Sequence, residues 1–211
     1  MASVSWRFAA ALVAALLAGC GMVGLPFSGQ VTDAETGEPL EGVIVVALWE
    51  GHVNPIADST QICYHVETAV SDAVGHFRIP GWIGGKFGVM GSYISTVSYK
   101  KNYRPGPPKK DSANDIRLVP FVGDQSEWFD YLSRYPRVVN CLSGGESRKK
   151  LFKLFNSIYE ESKDLARNGD EHKVVMKIRN AAASAAVAAP LNMSASRAEA
   201  LKRKFIEDHM K

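Results

Sequence analysis

The side chains with the most chemical reach in this 211-residue chain are five histidines, His52, His65, His76, His172 and His209, and three cysteines, Cys20, Cys63 and Cys141. Catalysis and metal binding both require such groups to converge. Cys63 and His65 offer a pair of metal ligands, but a complete site needs two more from elsewhere in the chain. No ligand spacing is complete, so the sequence assigns no metal and no cofactor. A Gly-x-Ser-x-Gly elbow and a phosphate-cradling glycine loop are both missing. An active site assembled from His65, Glu67, Asp72 and His76 needs two or more of them within hydrogen-bond reach in a cleft. No such cleft is expected, because His65 and His76 read as outward-facing strand residues, and the chain is read as non-enzymatic.

Hydrophobic residues make up 46% of the chain and charged residues 22%, which excludes a disordered, collagenous or polytopic membrane protein. The 25 basic and 22 acidic side chains are interleaved along the sequence, unlike a nucleic-acid footprint, so no DNA or RNA partner is expected.

The first 20 residues have the pattern of an export signal. Arg7 supplies the positive start, and Phe8 to Leu17 is an apolar run well short of the about 20 residues that a membrane-spanning helix needs. The run ends in Leu17, Ala18, Gly19, Cys20, which resembles a bacterial lipoprotein processing box. The resemblance implies cleavage before Cys20, a signal peptide over 1–19, and fatty acylation (palmitate-type chains) of the Cys20 thiol and the new amine. It also implies a lipidated tether over 20–27 and, with Gly21 rather than Asp after the cysteine, an outer-membrane protein facing the periplasm. A plain secretory signal with an accidental cysteine, or a short membrane anchor, would leave the same residues. On the export route Cys63 and Cys141 enter an oxidising compartment, where they either pair in a disulfide or stay as buried thiols.

Two kinds of chain follow. From Ser28 to about Pro120, short β-like runs are punctuated by Gly, Pro and Asp, whereas from Ser126 onward the period is helical. Val43 to Trp49 is a continuous apolar run, expected as a core strand buried on both faces. Tyr64 to Val70 alternates with a period of two and, with Phe77 and Ile79 beyond the turn at Ser71 to Gly75, predicts a hairpin. Trp82 to Gly91 reads as a glycine-rich loop or bulged strand start, Tyr93 to Tyr99 and Ile116 to Val119 as strands, and Lys100 to Asn114 as a proline-stiffened loop. Helices are predicted after Ser126 as N-cap up to Pro136, over 146–167 with Gly169 as its C-terminal stop, over 171–189, and over 197–209 capped by Ser196. Leu165 and Leu201 are expected on buried faces. The fold class is therefore α+β, an antiparallel β-sandwich over 28–122 followed by a helical region over 126–211.

Gly29, Val31, Asp33, Thr36, Gly37, Pro39, Leu40, Gly42, Val43 and Val45, followed by Thr68, Ser71, Asp72, Gly75, Phe77 and Ile79, resemble the carboxypeptidase regulatory-like domain. That family has a prealbumin-like (transthyretin-like) sandwich. Asn102 stands where the family has glycine, and the resemblance implies a left-handed turn there, which asparagine tolerates. These are scaffold positions and fix no activity. Two enzyme families on similar folds are excluded residue by residue. Intradiol dioxygenases need a His-x-His pair after Arg-Pro, whereas Arg104 and Pro105 precede Gly106, Pro107 and Pro108; hydroxyisourate hydrolases need Tyr-Arg-Gly-Ser, whereas Tyr103 and Arg104 precede Pro105 and Gly106.

What remains is surface. Arg148, Lys149, Lys150 and Lys153 crowd the start of the longest predicted helix, where positive charge opposes the dipole. They fit either anionic lipid headgroups or a solvated face in which Glu146 pairs with Lys150. Trp82, Tyr103, Lys109 and Lys110 form a second candidate contact surface. The expected role is a membrane-anchored cell-envelope lipoprotein acting as a binding or assembly module, with an envelope protein or a glycan as partner. A sugar-binding sandwich would place Trp82, Tyr93 and Tyr103 on one exposed face.

Overall fold

The computed structural model describes residues 23–53, 60–84, 89–108, 114–140, 148–188 and 193–210. Among these the architecture is α+β, with nine strands preceding four α-helices. The strands are β1 (Val23–Gly24), β2 (Phe27–Asp33), β3 (Ile44–Val53), β4 (Thr60–Val70), β5 (His76–Ile79), β6 (Trp82–Ile83), β7 (Met90–Tyr99), β8 (Tyr103–Pro105) and β9 (Ile116–Pro120). One sheet has the order β4-β3-β7, a second β5-β2-β9-β8, and β1 pairs with β6 in a short ladder of its own. Neither large sheet closes into a barrel.

β3 organises the molecule. As the apolar run predicts, it is the central strand of its sheet and is buried on both faces from Ile44 to Trp49. Val43, Val45, Ala47 and Trp49 face the second sheet, where they meet Val31, Phe77, Ile79 and Leu118 in one apolar core. Ile44, Val46 and Leu48 point the other way, into a core shared with the helices. Full burial of one such side chain stabilises by about 1.5–3 kcal/mol, which a strand with two buried faces exploits at every position.

The helical layer consists of α1 (Gln125–Leu132), a 3-10 segment (Tyr135–Asn140), α2 (Phe152–Ser162), α3 (Gly169–Val187) and α4 (Ala195–His209). Leu154, Phe155 and Ile158 of α2 and Ile178 and Ala182 of α3 are fully buried against the sheet and one another. The helical region is thus a third layer on the same sheet.

Several predicted elements are corrected. The sheets are mixed and not purely antiparallel, because β2 pairs with β9 in parallel, Val31 opposite Ile116. β4 and β5 do not form a hairpin: β4 pairs with β3 and β5 with β2. The chain changes sheet at Ser71 to Gly75. The Ser71 hydroxyl accepts from the Val43 N–H at 2.9 Å and donates to the Leu40 carbonyl at 2.6 Å. Asp72 Oδ1 accepts from the N–H groups of Val74 and His76 at 3.0 and 2.8 Å, and Gly75 takes φ 74°. That turn steers the chain out of one ladder and into the other.

The proline-stiffened loop begins as a strand, since Tyr103 to Pro105 pairs with β9. Within the span 20–27 read as a tether, Val23 and Gly24 form a strand and pair with Ile83 and Trp82. The cap of α1 is Asp124 and not Ser126: its carboxylate accepts from the Glu127 N–H at 2.9 Å while Glu127 reaches back to the Asp124 N–H at 3.0 Å. This reciprocal pair satisfies two end donors, which a lone serine cannot do. Gly169 starts α3 instead of ending α2, because the Asn168 side chain accepts from the N–H groups of Asp170 and Glu171. The last helix begins at Ala195, with Ser194 and not Ser196 at its cap position. Leu165 and Leu201 are exposed, contrary to expectation. Asn102 has φ 61°, the left-handed turn that the resemblance implied.

Candidate functional site

An open groove of about 1170 Å³ runs between the β8–β9 edge and α1. Arg104, Pro105 and Gly106 with Arg117 and Val119 form one wall, and Glu127, Asp130, Tyr131 and Arg134 form the other. Val97, Ser98, Phe121 and Tyr135 lie between them. The groove exists because β9 runs into Phe121, after which the Asp124 cap turns the chain into α1.

The groove is lined by hydroxyl, guanidinium and carboxylate groups. The Tyr135 hydroxyl donates to the Ser98 carbonyl at 2.8 Å and also meets the Tyr131 hydroxyl. Burial pushes both phenols above their ordinary range, so they act as neutral hydroxyls. Arg117 Nη2 donates to the Ala34 carbonyl at 2.6 Å, which ties its guanidinium to the chain just past β2. Arg134 pairs with Asp130 at 3.5 Å on the open surface of the helix. Behind the groove, the Tyr99 hydroxyl donates to Glu161, whose carboxyl burial pushes upward, with the Tyr99 bond acting in the opposite sense.

A second polar cluster lies on β4. His65 Nε2 and Glu67 Oε1 are 2.9 Å apart, and Lys150 Nζ contacts the same carboxylate oxygen. Of the four residues considered for a cleft, His65 and Glu67 therefore meet, but in neither of the two hollows described here. They stand two apart on one strand and so share a face. Nor does His65 face outward: its ring stacks on Trp82 at 3.9 Å and meets the edge of Trp49 at 5.3 Å. Burial lowers its pKa, the bond and charge of Glu67 oppose that, and the ring is held neutral near pH 7. Neither this pair nor Lys150 lines the groove. The arrangement is an ionic clamp between the helical layer and the edge strand. His76 and Asp72 lie apart from it and share a hollow with Arg78 and Asp115, where the Asp72 carboxylate accepts from the His76 backbone N–H at 2.8 Å, so the expectation of no such cleft is corrected for this pair.

The other predicted site residues do not come together. Trp82 is buried at the end of the sheets where β2 begins, whereas Tyr103 pairs with Pro120 at the opposite end. They do not form one contact surface, because β9 runs parallel to β2 and so sets Pro120 and its partner Tyr103 at the end of the sheet away from the start of β2. Tyr93 is exposed on β7 and accepts from the Gln61 side chain at 2.6 Å, so the three aromatics share no face. The basic group is divided as well: Lys150 pairs with Glu67, Arg148 is half-buried, and Lys149 and Lys153 are exposed. Cys20, Lys109, Lys110, Cys141 and Glu146 lie outside the described residues. Cys63 is disulfide-bonded.

Sequence reasoning missed the groove and the residues behind it. Tyr131 and Tyr135 are four apart, a spacing that places both on one side of a helical turn, and this was the available signal. Nothing in the sequence singles out Glu161. Among the described residues, no group of three or more His, Cys, Asp or Glu is placed to hold a metal ion, and no helix is long and apolar enough to cross a membrane. Compared with family models, with curated proteins and with solved structures, the chain matches none.

Proposed function

We propose that this protein is a cell-envelope lipoprotein, anchored through acyl chains on Cys20, whose folded part is a non-catalytic binding module. The observation that carries the reading is the run Leu17, Ala18, Gly19, Cys20 ending three residues before the first strand begins at Val23. An acylation box needs its cysteine at the start of the mature chain, and here the fold follows at once. More than one acyl chain makes such attachment stable, at about 0.8 kcal/mol per buried methylene. By resemblance, Gly21 favours the outer membrane and a periplasm-facing domain.

The scaffold in this reading is a prealbumin-like sandwich extended by a helical layer. Two sheets that share one core, and turns at Gly37, Gly42 and Gly75 with φ of 76°, 74° and 74°, support it. The binding surface is the groove beside α1. It is open and larger than the roughly 300–1,000 Å³ of small-molecule pockets, which favours a segment of an envelope protein over a metabolite. If Cys20 carries lipid, Cys141 is the partner left for the Cys63 disulfide.

The test combines anchoring and capture in intact cells. Cys20→Ser is expected to release the protein from membranes or leave its precursor uncut, and unchanged attachment with normal processing contradicts the anchor. A photocrosslinking amino acid in place of Arg134 is expected to trap one abundant envelope protein. Capture from Glu41, an exposed residue away from the groove, with none from position 134 would contradict the groove assignment.

A further inference from the structure

We infer that the β1–β6 ladder is a seating face for the lipid bilayer, with Val23, Leu25 and Ile83 entering the headgroup boundary beside the acylated cysteine. The inference rests on the acylation reading and goes beyond it: it assigns an orientation and a lipid-contacting surface. Val23, Leu25 and Ile83 are 61%, 76% and 85% exposed, the last being a large branched side chain held almost wholly in solvent. Scattered exposed apolar residues are ordinary. These are not scattered, because Val23 and Ile83 are direct partners across the ladder and Leu25 follows one residue after it. Directly opposite residues on a pair of strands share a face.

The length of chain before the ladder decides what covers them. Three residue steps separate Cys20 from Val23, a span of at most about 11 Å when fully extended. A cysteine whose acyl chains lie in the bilayer therefore holds Val23 at the depth of the headgroups or just above them. The adjoining chain suits that position: from Gly21 to Thr32 there is no charged residue, and Gly81, Trp82, Ile83 and Gly84 add none. The ladder is also firmly mounted. Trp82 packs edge-on against Trp49 at 5.6 Å and against Tyr64 at 6.0 Å, which ties β6 to the sheet core. Such a mount holds Ile83 outward in a fixed direction and does not let it fold back.

A seat at this end has a consequence for the groove. β2 begins beside the ladder, and β9 runs parallel to it, so the end of β9 and the start of α1 point away from the bilayer. The groove is presented to the periplasm and not to lipid.

The experiment uses the full-length acylated protein, purified from membranes and reconstituted into vesicles of phosphatidylethanolamine and phosphatidylglycerol with a nitroxide-labelled lipid. An environment-sensitive fluorescent amino acid replaces Ile83 in one variant and Val122 in another. Both positions are exposed, Val122 at 80% and beyond the far end of β9, so neither change disturbs a core. The mass of the mature N-terminal peptide is measured on the same samples. For a side chain set about 5–10 Å into the headgroup boundary, roughly twofold or greater quenching is expected at position 83 and none at 122. An acylated, vesicle-bound protein whose probe at 83 is unquenched overturns the seating face and leaves the anchor standing. Shielding from water at 83 without quenching by lipid means that a second copy or another protein covers the ladder, and it overturns the inference too. Absence of acyl mass on Cys20 overturns both.

Discussion

Between the two sheets, Val31, Val45, Phe77, Ile79 and Leu118 meet chiefly as apolar surfaces, whereas between the three-stranded sheet and the helices the apolar contacts are threaded with directional polar bonds. Tyr99 donates to Glu161, Tyr135 to the Ser98 carbonyl and Lys150 to Glu67, each joining a strand to the helical region. The difference follows from what fixes each layer. The sheets inherit their register from backbone ladders and from the turn at Ser71 to Gly75, so their core need only exclude water. The helices share no ladder with the sheet, and apolar burial alone leaves a layer free to slide. Side-chain hydrogen bonds, which fail when displaced by an ångström, supply the register that the backbone does not.

If β3 unites the two cores, damage to either should unfold both. Phe77→Ala and Phe155→Ala empty a large buried volume on opposite sides of β3 and are expected to cost about 3–5 kcal/mol each. Urea unfolding of either variant, followed by tryptophan fluorescence and by helical circular dichroism, should give one coincident transition. Two separated transitions for Phe155→Ala would make the helices an independent domain. Next in size is Gly75→Ala, because a Cβ there would stand 2.5 Å from the Val31 carbonyl oxygen at φ 74°. A loss of about 2–4 kcal/mol is expected from strain and the clash together, and a near-neutral result would show that the sheet-changing turn tolerates another path.

Effects on the polar side of the comparison are smaller. Lys150→Ala leaves the buried Glu67 carboxylate without its cation, but the lysine is 37% exposed, so the expected cost is about 1–2 kcal/mol. Glu67→Gln on the Lys150→Ala background should recover part of it if the clamp is ionic. The smallest effect is a pH dependence. The His65 pKa is lowered in the fold, chiefly by burial, so the unfolded chain takes up a proton first as pH falls. Stability is then full above about pH 6.5 and declines below it toward the folded pKa. His65→Gln should flatten that slope in denaturation midpoints between pH 5 and 7, as follows from that linkage. An unchanged slope would assign it elsewhere.

How much was legible depended on whether local patterning or tertiary meeting decided the outcome. The two-faced burial of Val43 to Trp49, the strands at 93–99 and 116–119 and the alanine-rich helix were visible because their periods are properties of the chain itself. Asn102 was visible through a backbone requirement. The false hairpin arose because the alternation of Tyr64 to Val70 is the same whether the next strand pairs with it or crosses over; the hydroxyl of Ser71 decides that, through its bonds to residues 28 and 31 positions away. Gly169 was assigned to the wrong helix because a glycine ends or begins one according to its neighbour, here the capping side chain of Asn168. The groove and the His65, Glu67 and Lys150 cluster join residues from different layers, which no spacing in the sequence records.

The central claim, an envelope protein held by lipid on its first mature residue, is tested most directly by mapping the N-terminal and cysteine-containing peptides of the membrane-extracted protein without reduction. The account predicts a mature chain beginning at Cys20 with acyl mass on that residue, and a disulfide joining Cys63 to Cys141. An unacylated Cys20, or Cys20 found bonded to Cys63, would contradict it.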